Sequence, residues 1–123
     1  MVERPLVSVV DDDESVRESL PDLLREFGLQ SRVFPSAEAF LASDCIGLSQ
    51  CLILDIALPG MSGPELYREL AARGRRIPTI FITAQEDLAV RQGLLAQGAV
   101  DCLFKPFSDV DLQAALNVAL GTS

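Results

Sequence analysis

Cys51-Leu52-Ile53-Leu54-Asp55-Ile56-Ala57-Leu58-Pro59-Gly60-Met61-Ser62-Gly63 sets the reading of the whole chain. Four consecutive apolar residues end on one carboxylate, and a Pro-Gly turn follows at once. A run that is apolar at every position, without polar alternation, fits a strand covered on both faces, and hence a parallel sheet flanked by helices. Neighbouring runs agree. Leu6-Val7-Ser8-Val9-Val10 reads as a buried strand ending at Asp11, Asp12 and Asp13, and Thr79-Ile80-Phe81-Ile82 as another ending at Thr83. Residues 100–104 form a last strand before Lys105-Pro106, and a weaker strand spans 31–34.

Amphipathic segments separate these runs. Over 14–27 the residues Val16, Leu20, Leu23, Leu24 and Phe27 recur at helical spacing, with Gly28 as the stop. Pro21 has no amide to donate, which predicts a kink or local irregularity there. Ser36, preceded by Pro35, reads as the N-cap of a short helix to about Leu41. A helix carrying Leu66, Tyr67 and Leu70 is broken by Arg73-Gly74-Arg75-Arg76, and the next runs over 86–96 and stops at Gly98. Ser108 caps a closing helix expected to bury Val110, Leu112, Ala115, Leu116 and Val118. Five strand–helix units with short connections and no internal linker make one α/β domain over 1–123. The expected architecture is a three-layer, doubly wound, five-stranded parallel sheet with right-handed crossovers.

A chain of 123 residues that is 49% hydrophobic can bury a real core without staples. No apolar run approaches the roughly 18 residues of a membrane span, and the start Met1-Val2-Glu3-Arg4-Pro5 lacks a secretory layout. The expectation is a cytoplasmic protein that does not engage membrane. A formal charge of −8 repels nucleic acid, so direct nucleic-acid contact by this domain is not expected. Cys45, Cys51 and Cys102 show neither close pairing nor metal spacing and read as buried reduced thiols. Histidine is absent, which removes serine–histidine triads and histidine acid–base chemistry. Any chemistry must run on carboxylates, hydroxyls and lysines.

In an open parallel sheet, ligands bind beyond the carboxyl ends of the strands. Four of the five strands deliver a chemically useful residue to that edge: Asp11 and Asp12, Asp55, Thr83, and Lys105. Gathered carboxylates repel one another unless a cation joins them, and a hard divalent ion such as Mg²⁺ suits oxygen ligands. Such an ion would also neutralise an incoming phosphoryl group, for which an aspartate is a competent acceptor.

With these motifs in view, the chain resembles the receiver domain of two-component response regulators across essentially its full length. The carriers are Val9-Val10-Asp11-Asp12-Asp13, Leu54-Asp55 through Gly63, Phe81-Ile82-Thr83-Ala84 and Phe104-Lys105-Pro106-Phe107. Gln97-Gly98-Ala99-Val100-Asp101 and the Lys105-Pro106-Phe107 end resemble the FixJ-type branch, whose members usually carry a C-terminal helix-turn-helix. The resemblance implies a flavodoxin-like sheet in the order 2-1-3-4-5 and a phosphoacceptor rather than an enzyme, one that assists its own phosphorylation and dephosphorylation. Asp55 would be the acceptor. Asp12 would bind Mg²⁺ directly, Asp11 mainly through water, with Asp55 and the backbone carbonyl of Ala57 completing the protein ligands. Lys105 would pair with Asp55, Thr83 would be the switch hydroxyl beside small Ala84, and Pro106 would follow a cis bond. A sensor histidine kinase would donate the phosphoryl group, approaching the first helix and the short helix after Ser36. Phosphorylation would favour a homodimer through the face of the fourth helix, fifth strand and fifth helix.

The family usually places an aromatic ring where this chain has Cys102. Phe104, on the same side of the strand by its period of two, is expected to offer an apolar contact on that face. Asp13, Glu14 and Asp101 read as solvated charges at helix starts. Two other readings compete. A haloacid-dehalogenase-like phosphatase would use the Asp-x-Asp of Asp11 and Asp13, but leaves the Asp55 loop unexplained. A phosphate-independent pseudo-receiver would keep the fold without the chemistry.

Overall fold

Each strand is short, the central ones are largely β-branched or aliphatic, and each is followed by a capped helix, so the chain alternates between sheet and cover. The computed structural model describes residues 4–121, and the readings made on residues 1–3 and 122–123 lie outside it. Its elements are β1 (Leu6–Val10), α1 (Glu14–Glu26), β2 (Gln30–Phe34), α2 (Ala37–Leu41), β3 (Cys51–Asp55), α3 (Gly63–Ala72), β4 (Thr79–Thr83), α4 (Leu88–Ala96), β5 (Asp101–Phe104) and α5 (Asp109–Ala119). The sheet runs β2-β1-β3-β4-β5 with every pair parallel. That is the order and fold class the resemblance implied.

Alternation along the central strands splits the interior in two. Leu52 and Leu54 join Phe81, Phe40 of α2, Leu66 and Leu70 of α3 and Leu94 of α4 on one face. Cys51 and Ile53 join Ile80, Ile82, Leu20 and Leu24 of α1 and Leu112 and Leu116 of α5 on the other. Every residue of β3 and β4 is buried, which is why neither strand shows polar alternation.

Side-chain caps fix the helix starts. Ser36 accepts from the Ala39 amide, Ser62 and Glu65 form a reciprocal capping box, and Ser108 accepts from the Asp111 amide. Asp87 accepts from both the Ala89 and Val90 amides, so α4 begins at Leu88 rather than at residue 86. Helix α1 runs on through Pro21. A single 3₁₀ turn, Asp44–Ile46, was not foreseen; Ser43 caps it and Cys45 is buried beneath.

The closing helix departs from expectation at two positions. Leu112, Ala115 and Leu116 are buried, but Val110 is 75% and Val118 71% exposed. At ~100° per residue these two lie about 160° and 120° around the axis from Leu112, outside its inward stripe. Truncations in a urea titration should separate the two classes. Phe40→Ala, at a fully buried ring, should cost about 3–5 kcal/mol, whereas Val118→Ala should stay within about 0.5 kcal/mol of the parent. Equal losses would contradict this packing.

Candidate functional site

The strand order reverses between β1 and β3, and the residues leaving those two strands share one end of the sheet. Val10 pairs with Leu54, so Asp11 and Asp55 emerge side by side. Asp11 is fully buried, Asp55 is nearly so, and Asp12 is exposed. Carboxylate oxygens of all three lie within 4.8 Å of one another. Ala57 follows in the loop, its amide 3.4 Å from Asp55 Oδ1.

Lys105 reaches this cluster from the end of β5, where its backbone amide donates to the Thr83 carbonyl at 2.7 Å. Its Nζ donates to Asp11 Oδ2 at 2.9 Å and lies 3.6 Å from Asp55 Oδ2. The expected pair with Asp55 is present, and a closer one with Asp11 joins it. Burial alone would lower the lysine pKa, but the Asp11 hydrogen bond and the charges of Asp55, Asp11 and Asp13 outweigh it and hold the ammonium above its ordinary value. The Lys105–Pro106 peptide is cis, as the resemblance implied.

Asp55 stands in the opposite balance. Burial first, and then the charge of Asp11, push its carboxyl up to about 7, against the lowering pull of Lys105 and the Ala57 amide. Thr83 is buried one residue beyond the Asp55–Ile82 register, and its hydroxyl accepts from the Gln85 amide at 3.1 Å. Further contacts hold Asp11 itself. The Asp13 amide donates to its Oδ1 and the Arg17 guanidinium donates to its backbone carbonyl, each at 2.9 Å. Arg17 was not singled out in the sequence. One turn into α1 from the acids, its spacing alone did not distinguish it from a solvated surface charge.

Other assignments sort out similarly. Asp13 caps α1, accepting from the Ser15 hydroxyl and amide, which together hold its pKa down. Asp101 is not a helix-start charge: it opens β5 and pairs with Arg91 at 2.9 Å. Arg91 also donates to the Cys102 carbonyl at 3.2 Å. All three cysteines are free and buried, and burial raises the Cys102 thiol, which makes it a poor thiolate. Phe104 is half-buried, on the rim of a cleft shared with Leu88, Arg91 and Cys102.

Three hard oxygen donors on one edge, one of them open to water, fit a divalent cation of the Mg²⁺ class better than a soft metal. The pocket can bind a metal. Residues 7–117 match the response regulator receiver domain.

The chain belongs to that family. It is 41% identical over 115 residues to the response regulator protein TmoT of Ectopseudomonas mendocina, covering 94% of this chain and 52% of TmoT. It is 41% identical over 117 residues to the transcriptional regulatory protein FixJ of Azorhizobium caulinodans, covering 95% and 56%. Among solved structures, the response regulator StyR superposes with a TM-score of 0.88 at 41% identity, covering 97% of this chain and 60% of StyR. The receiver thus spans about half the length of the curated relatives it matches, and the FixJ-type likeness holds. Receivers of this family work in two-component signalling, with sensor histidine kinases as partners of response regulators. Neither the phosphatase nor the pseudo-receiver reading is favoured. No described helix is long and apolar enough to cross a membrane.

The raised Asp55 carboxyl has a measurable sign. Folding lifts its pKa from 3.8 to about 7, so the protonated form suits the folded pocket, and the stability it contributes is lost as pH rises through about 7. In EDTA, Asp55→Asn should therefore raise the melting temperature more at pH 8 than at pH 5, with the gain shrinking when Mg²⁺ is added. A gain independent of pH would contradict the assigned repulsion.

Proposed function

We propose that Asp55 accepts a phosphoryl group from the phosphohistidine of a sensor histidine kinase, and that the receiver then switches a transcriptional output. One observation carries this: three carboxylates and one ammonium meet at the switch point of the sheet, with Asp55 among them. An Asp55 carboxylate oxygen attacks phosphorus, the phosphorus–nitrogen bond breaks, and the histidine nitrogen leaves with the bonding pair. The product is an aspartyl phosphate.

Asp12, Asp55 and the Ala57 carbonyl would hold Mg²⁺ directly, with Asp11 acting through a bound water. When bound, the ion supplies positive charge that keeps Asp55 ionised and offsets the phosphoryl oxygens. Lys105 already spans Asp11 and Asp55, so its Nζ is placed to follow the new negative charge. Among the described residues the Thr83 hydroxyl is held by its own Gln85 turn, at 3.1 and 3.4 Å, which would open for it to donate to a phosphoryl oxygen. Attack of water at phosphorus reverses the modification, with the same groups stabilising the same charge.

The wider role follows the relatives. Residues 1–123 act as one receiver unit, and output passes through a helix-turn-helix domain of a longer cytoplasmic protein. The kinase approaches α1, where Val16, Leu20 and Leu23 line a cleft of about 650 Å³ that opens onto Lys105. Leu88, Val90 and Val110 are exposed around α4, β5 and α5, and support a homodimer of the phosphorylated form there. This face, not Asp55, touches the second copy, and nucleic acid is left to the output domain.

Intact-mass spectrometry after acetyl phosphate and Mg²⁺ tests the acceptor. The parent should gain one phosphoryl group, Asp55→Asn none, and the parent in EDTA little or none. A parent that stays unmodified, or an Asp55→Asn variant modified equally, would overturn the assignment.

A further inference from the structure

The loop between β3 and α3 is closed at its base, where it is also tied to β4. The Ile56 amide donates to the Ile82 carbonyl at 3.0 Å, and the Gly63 amide to the Ile56 carbonyl at 3.1 Å. A Cβ on Gly63 would overlap the Asp55 carbonyl oxygen, so helix α3 begins in direct contact with the acceptor's backbone. Leu58 anchors the early part of the loop in the core.

The tip is held differently. Two successive amides, those of Met61 and Ser62, each donate to a carboxylate: Met61 to Glu38 Oε2 at 2.9 Å and Ser62 to Glu65 Oε1 at 3.2 Å. Glu65 is local, part of the α3 capping box. Glu38 is not; it comes from α2, 23 positions earlier in the chain. The turn is shaped to receive it. Gly60 has φ +73°, and a Cβ there would sit 2.7 Å from the same Glu38 oxygen. Glu38 and Glu65 repel each other, so charge alone does not bring them to one loop. Backbone amides are what Glu38 binds.

We propose that Glu38 is a positioning residue for the phosphoacceptor site: by holding the Met61 amide it fixes the loop that carries Ala57, whose backbone carbonyl would join Asp12 and Asp55 in holding the cation. The inference rests on the cation reading proposed above. A loop already fixed in its binding shape loses little freedom when the ion arrives, whereas a loose one must be ordered each time. The strap therefore acts on cation affinity. Since Glu38 is exposed and Phe40 and Ala37 seat α2 in the core without it, it is not needed to hold the fold together.

Mg²⁺ titration by calorimetry, combined with amide hydrogen exchange at Met61 in the metal-free protein, tests this. Glu38→Gln keeps an acceptor oxygen and should bind Mg²⁺ within about twofold of the parent. Glu38→Ala should bind about tenfold more weakly, the low end for outer-shell partners of a metal site, and its Met61 amide should exchange faster. Should Glu38→Ala be too unstable to titrate, Glu38→Asp, one methylene short, replaces it with the same expectation. Parent-like Mg²⁺ affinity in Glu38→Ala, or a lower melting temperature with unchanged affinity, would overturn the proposal and leave the cation reading standing. A parent that binds no Mg²⁺ would overturn both.

Discussion

Asp11 and Asp55 are both buried, within 4.8 Å of each other and of Asp12, at an edge where water screens them poorly. Two negative charges so placed repel strongly, and one ammonium lies between them. Lys105 is closer to Asp11, and Asp55 is left with its carboxyl pushed up to about 7. The pocket is thus short of positive charge. In the proposed reading a cation would offset that deficit, and an arriving phosphoryl group would then draw on Lys105 and Thr83. That imbalance is what the proposed chemistry would use.

Nothing local to these residues makes them meet. Asp11 and Asp55 are brought together by β1–β3 pairing, Thr83 by β3–β4 pairing and Lys105 by β4–β5 pairing. That pairing is fixed by two apolar layers, with α2, α3 and α4 on one face and α1 and α5 on the other. Contacts of side chain to backbone refine the result: Arg17 on the Asp11 carbonyl, Asp13 capping α1, and Glu38 on the loop after Asp55.

Most of this was legible in the sequence because apolar runs are hard to disguise. Continuously apolar runs such as Cys51-Leu52-Ile53-Leu54, alternating with helical segments, point to a covered parallel sheet, and the polar residues at their ends then mark the ligand edge. Val110 and Val118 are apolar yet lie off the Leu112 stripe, a mismatch that the helical spacing itself carried. Legibility failed where neighbours from elsewhere in the chain decide. Asp101 read as a solvated helix-start charge but is claimed by Arg91 across α4 and β5. The Lys105–Asp55 pair assigned from the family pattern is present, but the sequence did not show that Lys105 also bonds Asp11, and more closely. Glu38 and Arg17 carried no periodic or motif signal, since a single carboxylate or guanidinium that binds backbone has no required spacing.

The account stands on convergence of Asp11, Asp12 and Asp55 on one ion, and anomalous diffraction from crystals soaked in Mn²⁺ reports it directly. A single peak bonded to Asp12, Asp55 and the Ala57 carbonyl, with Asp11 one water away, is the predicted result. Well-ordered crystals with no peak at that edge, or with the manganese held by other residues, would contradict it.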